Sequence, residues 1–239
     1  MRRLAALSLA ICGLAACSPQ GAEQPKFPKP DRPVSDTGAT EFSTEVKRDE
    51  LGEAKAVMDL AKIGQGNTVA DIGAGEGYYT VRLAERVGAK GRVLAVDIDQ
   101  GAIQRLGQRV ERERLDNVSI KQGLPEDPRL PQNSFDRVFM VHMYHEVQDP
   151  YAFLWHMRSG LRQGGQVIVV DVDRPTDKHG IPPALLFCEM GAVGFRLVQF
   201  VRKPELTGYY AQFEATGPRP EPAAIKPCKL GADGTAVQR

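Results

Sequence analysis

Apolar positions between residues 46 and 213 recur with two different periods. Val69, Ala70 and Ile72 form a short apolar run, which predicts a buried strand. Tyr79, Leu83, Ala84 and Val87 follow on one helical face. Residues 92–99 predict a second strand with Asp97 near its end, 117–121 a third and 134–141 a fourth. A helix end and the Gly164-Gly165 turn open a fifth strand over 161–170. Helices are predicted over 100–114, over 150–160 with Phe153, Leu154 and Met157 inward, and over 182–191. A stripe of Val46, Leu51, Ala54, Val57, Met58 and Ala61 predicts one further helix from 46 to 61. Residues 195–201 and 208–213 read as two last strands paired antiparallel. Strands alternating with helices predict an α/β fold, doubly wound around a mostly parallel seven-stranded sheet with a terminal antiparallel hairpin.

The ends of the chain follow other patterns. Arg2 and Arg3, a short apolar stretch from Leu4 to Gly13, and Leu14-Ala15-Ala16-Cys17 resemble the signal and lipobox of bacterial lipoproteins. That resemblance implies cleavage after residue 16 and lipidation of Cys17. The expected location is the cell envelope, on the periplasmic face of the outer membrane. An uncleaved anchor or a chance apolar start is the alternative. Residues 17–45 are rich in proline and lack hydrophobic periodicity, so they read as a tether. Residues 214–239 carry four prolines and few apolar residues, and read as a disordered tail. The folded domain is thus expected over 46–213.

Composition narrows the partners. The 239 residues carry a formal charge of +1 and no long basic run, which argues against nucleic acid held by general electrostatics. A small or apolar substrate fits better. Of four cysteines, Cys12 leaves with the signal and Cys17 takes the lipid. Cys188 and Cys228 either pair in an oxidising compartment, pinning the tail to the last helix, or stay as a buried and a free thiol. Without a Cys-x-x-Cys, no structural zinc is expected.

Candidate chemistry centres on residues 69–80. Gly73, Gly75 and Gly77 form a loop between a strand and a helix, the arrangement by which open α/β sheets hold nucleotides. Asp97 follows at the end of the next strand, placed for ribose hydroxyls. Asp71 to Gly77, Asp97, Ser134-Phe135-Asp136, Tyr144-His145-Glu146 and Leu161 to Gly165 occur in an order that resembles the class I S-adenosylmethionine-dependent methyltransferases. The resemblance covers roughly residues 46–213 and implies a Rossmann-like fold, S-adenosylmethionine as cofactor and in-line methyl transfer to a small-molecule or lipid-like acceptor.

The resemblance also assigns roles. Asp71 and the loop of Gly73, Gly75 and Gly77 would hold the amino-acid end of the cofactor. Asp97 would bind the ribose, Ile98 the adenine, and Tyr78, Gly123, Leu124 and His142 the rest of the pocket. Leu124 stands where many members carry an aspartate, so the backbone or Glu126 is expected to replace it. His142 stands where an acid is expected. His145, with Tyr144, is the expected base or substrate-positioning group; the alternative is that both pack the pocket and bond backbone. Asp171, Asp173 and His142 offer a divalent-metal reading, with solvated aspartates the simpler one and no metal expected. His156 and His179 are read as surface or packing residues. Two other functions remain open: an exported, non-catalytic binder of an adenosyl ligand, and a nicotinamide-dependent oxidoreductase.

Overall fold

The computed structural model describes residues 25–36 and 44–239. Two short helices, α1 (Glu45–Leu51) and α2 (Glu53–Leu60), lead into β1 (Thr68–Ile72), α3 (Tyr78–Val87), β2 (Arg92–Asp97), α4 (Gln100–Arg112), β3 (Val118–Gln122) and β4 (Phe135–Val141). Then come α5 (Pro150–Arg158), β5 (Leu161–Asp171), α6 (Pro183–Ala192), β6 (Phe195–Val201), β7 (Tyr209–Ala215), β8 (Cys228–Leu230) and β9 (Ala236–Gln238). Seven strands form one sheet in the order β3-β2-β1-β4-β5-β7-β6. β1 pairs in parallel with both β2 and β4, so the winding direction reverses beside β1. β7 runs antiparallel to both β5 and β6, giving the terminal hairpin.

The central strands are apolar because both faces are covered. Val69, Val93, Phe139, Ile168 and Val170 pack under α2 and α3. Ala70, Val138, Met140, Val167 and Val169 point the other way, against α5 and α6. Alternation along each strand therefore feeds two cores from one sheet.

Three expectations need correction. The single helix over 46–61 is two helices, broken at Gly52 with φ +71°. Glycine takes this left-handed geometry readily and ends α1 there. Val46 and Leu51 are consequently 65% and 46% exposed, whereas Ala54, Val57, Met58 and Ala61 are buried. α1 is tied down by charge instead, through Asp49 to Arg82 and Glu45 to Arg109.

The tail is ordered. Glu214 and Ala215 extend β7, and β8 and β9 pair as a small hairpin joined to α6 by a Cys188–Cys228 disulfide. Arg158 donates to the carbonyls of Thr216 and Gly217, and Trp155 Nε1 to that of Pro220. Composition missed this because the tail is held through its backbone carbonyls and one covalent bond. Residues 25–36, read as tether, also pack: Arg32 makes a buried ion pair with Glu189 at 2.8 Å. The signal segment and Cys17 lie outside the described residues.

Candidate active site

A cleft of about 700 Å³ opens at the carboxyl ends of β1, β2 and β4, where the strand order reverses. Gly73, Gly75, Tyr78, Asp97, Ile98, Gly123, Leu124 and His142 all line it. Backbone N–H groups of Gly73 and Ala74 donate to the Val96 carbonyl, fastening the glycine loop to β2. Asp97 Oδ2 accepts from Gly75 N at 2.8 Å and Oδ1 from Asp99 N at 2.9 Å. A carboxylate has about four acceptor sites, so Asp97 retains capacity for two ligand hydroxyls. Ile98, 44% exposed, supplies an apolar rim beside it. Gly75 has φ +54° and open space where a Cβ would stand, leaving the loop backbone accessible.

Gly77 has a structural reason to be glycine. Its φ is +90°, and a Cβ would stand 2.4 Å from Leu106 Cδ1. It does not line the cleft, and neither does Asp71. Asp71 is buried and accepts the Thr80 hydroxyl at 2.6 Å. Burial pushes its pKa up to about 6; the Thr80 hydrogen bond opposes this and the Asp97 charge adds to it. Both residues shape the loop from behind. Leu124 makes a backbone bridge with Asp127, while Glu126 is exposed and does not line the cleft. Of the two expected substitutes for an acid at 124, the Gly123–Leu124 backbone is the one at the cleft.

α1 covers one side of the cleft. Glu45, Arg48 and Tyr78 line it, and the Tyr78 ring lies between the Arg48 and Arg82 guanidinium groups, each 3.8 Å from the ring centre. Behind them, Glu53 is fully buried. It accepts from Arg48 Nη2 at 2.6 Å and from the Tyr79 hydroxyl at 3.0 Å, and lies 3.7 Å from His142 Nε2. Burial alone would raise its pKa, but His142 and Arg48 outweigh burial and hold it at about 2. His142 sits at the end of β4 with φ +54°, its backbone N–H donating to the Val170 carbonyl. Sequence reasoning missed Glu53 and Arg48. They read as the polar side of an amphipathic helix, and their partners lie far along the chain.

Tyr144 and His145 fall elsewhere than expected. The 3-10 turn Tyr144–Glu146 presents Met143 and Glu146 to the cleft and turns Tyr144 and His145 into the interior. Both are fully buried. Tyr144 donates to Glu189 Oε2 at 2.8 Å, so its hydroxyl serves the Arg32–Glu189 pair. His145 Nδ1 lies 2.9 and 3.0 Å from the two Asp171 oxygens. Asp173 is exposed and pairs with Arg202, so Asp171, Asp173 and His142 do not converge on a metal. His179, read as a surface or packing residue, packs edge-on to His145 with ring centres 5.8 Å apart.

Comparison with known proteins bears on the same segment. Residues 69–165 match the family model described as a methyltransferase domain. A demethylmenaquinone methyltransferase of Listeria welshimeri serovar 6b is 28% identical over 121 residues, 51% of each chain. The ubiquinone/menaquinone biosynthesis C-methyltransferase UbiE of Hahella chejuensis is 31% identical over 121 residues, 50% of this chain and 49% of that protein. The chain thus spans about half the length of the curated relatives it matches. Among solved structures, a SAM-dependent methyltransferase from Aquifex aeolicus superposes with a TM-score of 0.61 at 21% identity, covering 72% of this chain and 97% of the other. The [4+2]-cyclase SpnF superposes with a TM-score of 0.58 at 18% identity, covering 73% and 66%. Residues 69–165 therefore carry the pattern of a methyltransferase domain, set in a chain with the Rossmann-like fold of the methyltransferase structure it superposes on.

Proposed function

We propose that this protein transfers a methyl group from S-adenosylmethionine to a small-molecule or lipid-like acceptor. The observation that carries the reading is the cleft in which residues 73–76 of the glycine loop and Asp97 meet at the sheet's switch point, inside the matched segment. The residues fit the cofactor: a glycine loop open at Gly75, an aspartate with spare acceptor sites and a volume in the range of ligand pockets. Gly73 and Gly75 would face the amino-acid end, Asp97 the ribose hydroxyls, and Ile98 with Gly123 and Leu124 the adenine. Bound S-adenosylmethionine supplies a methyl already activated by a positive sulfur. The chain's task is then to align the acceptor in line and exclude water. His142 replaces His145 as the imidazole placed to meet an acceptor, with the Glu53 carboxylate behind it to stabilise the charge it gains on taking a proton. The demethylmenaquinone methyltransferases among the relatives favour a quinone-like acceptor.

Calorimetric titration tests the core of this. S-adenosylmethionine and its demethylated product should bind the folded chain at micromolar concentration, and Asp97→Ala should weaken both at least ~10-fold, the loss of hydrogen bonds worth roughly 1.4 kcal/mol or more. A folded protein that binds neither ligand would sink the methyl-transfer reading. The second reading, an exported non-catalytic adenosyl-ligand binder, rests on Leu124 in place of an acid and on the export signal read in residues 1–17. Binding without transfer of labelled methyl to an envelope extract would favour it. The β6–β7 hairpin stands against the nicotinamide reading.

We also propose that Cys17 is lipidated and holds the protein in the cell envelope. The Leu14-Ala15-Ala16-Cys17 motif and the Cys188–Cys228 disulfide, a bond favoured in oxidising compartments, support this. Detergent-phase partitioning of cell extracts is the check: the native chain should enter the detergent phase and Cys17→Ser should not. Equal partitioning of the two would overturn it.

A further inference from the structure

We propose that His145, Glu146 and His179 form a binding site for one divalent first-row transition metal at the edge of the cleft. One ligand atom from each lies within 4.8 Å of the other two. His145 is fully buried, yet its Nε2 has no hydrogen-bond partner among the described residues, and the same holds for His179 Nδ1. A buried imidazole nitrogen left this way carries an uncompensated desolvation cost.

The surroundings explain how His145 is held. Its Nδ1 faces both oxygens of Asp171, at 2.9 and 3.0 Å, and Asp171 Oδ1 also accepts from Val172 N. That arrangement calls for a proton on Nδ1 and leaves Nε2, which lies 3.9 Å from Glu146 Oε1, as the ring nitrogen that can bind a metal. A carboxylate behind a histidine, with the far nitrogen free, is the usual support of a metal-bound imidazole. His179 is a non-glycine residue with φ +51°, a conformation that persists only where the surroundings enforce it. Its backbone N–H donates to Ser35 Oγ, which donates to the Thr176 carbonyl, while Arg32 donates to the His145 carbonyl. The segment 25–36 thus braces two of the three ligands.

Two imidazoles and one carboxylate suit zinc, iron(II) or cobalt(II), and leave coordination positions open. Metal–donor distances of about 2.1 Å put tetrahedral ligands about 3.4 Å apart, so loading would draw the half-buried Glu146 and His179 toward His145. Glu146 lines the cleft, so an open position would face an acceptor oxygen there. That last role rests on the methyl-transfer reading; metal binding does not.

The test uses the full chain, stripped with chelator and titrated with Co2+ while visible d–d absorption is followed. One equivalent should bind, with zinc displacing it. His179→Ala and Glu146→Gln should each weaken binding at least ~10-fold, and Asp171→Asn roughly 10–100-fold. Circular dichroism and the thermal midpoint establish that each variant is folded; Glu146 and His179 are only half-buried, so these two serve if the Asp171 variant does not fold. No saturable cobalt spectrum from folded wild type, or an unchanged one in His179→Ala, would overturn the proposal. Calorimetry with S-adenosylmethionine on the same preparation separates the two readings, because either ligand can bind while the other fails.

Discussion

Asp71 lies within the run of buried positions that enters the glycine loop, but its carboxyl turns from the cleft to the Thr80 hydroxyl. Burial first, against the Thr80 bond and with help from Asp97, raises its folded pKa to about 6 from 3.8. Below 3.8 both folded and unfolded chains hold the proton and the group is neutral in the balance. As pH climbs to 6 the unfolded chain ionises while the folded one does not, so stability falls. Above 6 the full cost, on the order of 3 kcal/mol, is in place. Asp71→Asn keeps the shape and the acceptor for Thr80 without the charge. It should stabilise the protein by roughly 2–3 kcal/mol at pH 8 and by little at pH 3.5, read by urea unfolding. An equal effect at both pH values would refute the account. The residue's value to the site is therefore in setting the loop, not in touching a ligand directly.

Helices α1 and α2 show the same electrostatics with the opposite sign. Burial pushes Glu53 up, but His142 and Arg48 pull it down further, to about 2 from 4.5. A depressed carboxylate contributes stability above its unfolded pKa and loses it as pH falls from about 4.5 to about 2. The contribution is on the order of 3 kcal/mol at neutral pH. Glu53→Gln should therefore lower the midpoint of thermal unfolding at pH 7, with the gap to wild type closing through that acid window. A gap that stays constant down to pH 2 would show that the ion network is not its source. This network also marks where the sequence stops being readable. The glycine loop, Asp97 and the succession of strands along the chain were legible because each rests on a local pattern: apolar run, glycines, acid at a strand end. Glu53, Arg48 and His142 meet only after three elements fold together, and nothing within any one segment announces it. Tyr144 and His145 carried chemistry by type, but a short turn sends neighbouring side chains opposite ways, and sequence does not say which enters the cleft. Gly52 was visible as a glycine, yet the hydrophobic stripe across it outweighed its tendency to end a helix.

At the scale of the whole molecule, the two segments that composition marked as unstructured brace one side of the sheet together. Arg32 reaches Glu189 on α6, Phe27 packs on Trp155 of α5, and Asp31 pairs with Lys229 of the tail hairpin at 3.2 Å. The tail adds Cys228, whose backbone N–H donates to the Tyr151 hydroxyl and whose sulfur bonds Cys188. None of these residues lines the cleft, so this side of the molecule acts by stability and bracing rather than by direct contact with a ligand in the cleft. The disulfide closes a loop with a sequence separation of 40, worth about 4 kcal/mol in chain entropy. Reduction, or the Cys188→Ser/Cys228→Ser double variant, should lower the thermal midpoint by on the order of 10 °C. Affinity for S-adenosylmethionine measured well below that midpoint should change less than about 3-fold, a difference under ~1 kcal/mol. The double variant should also be indifferent to reductant, which ties the effect to this bond. A thermal midpoint that ignores reductant in the native chain would mean the two cysteines act singly. A large loss of affinity in the double variant would mean that the braced side and the cleft are mechanically coupled.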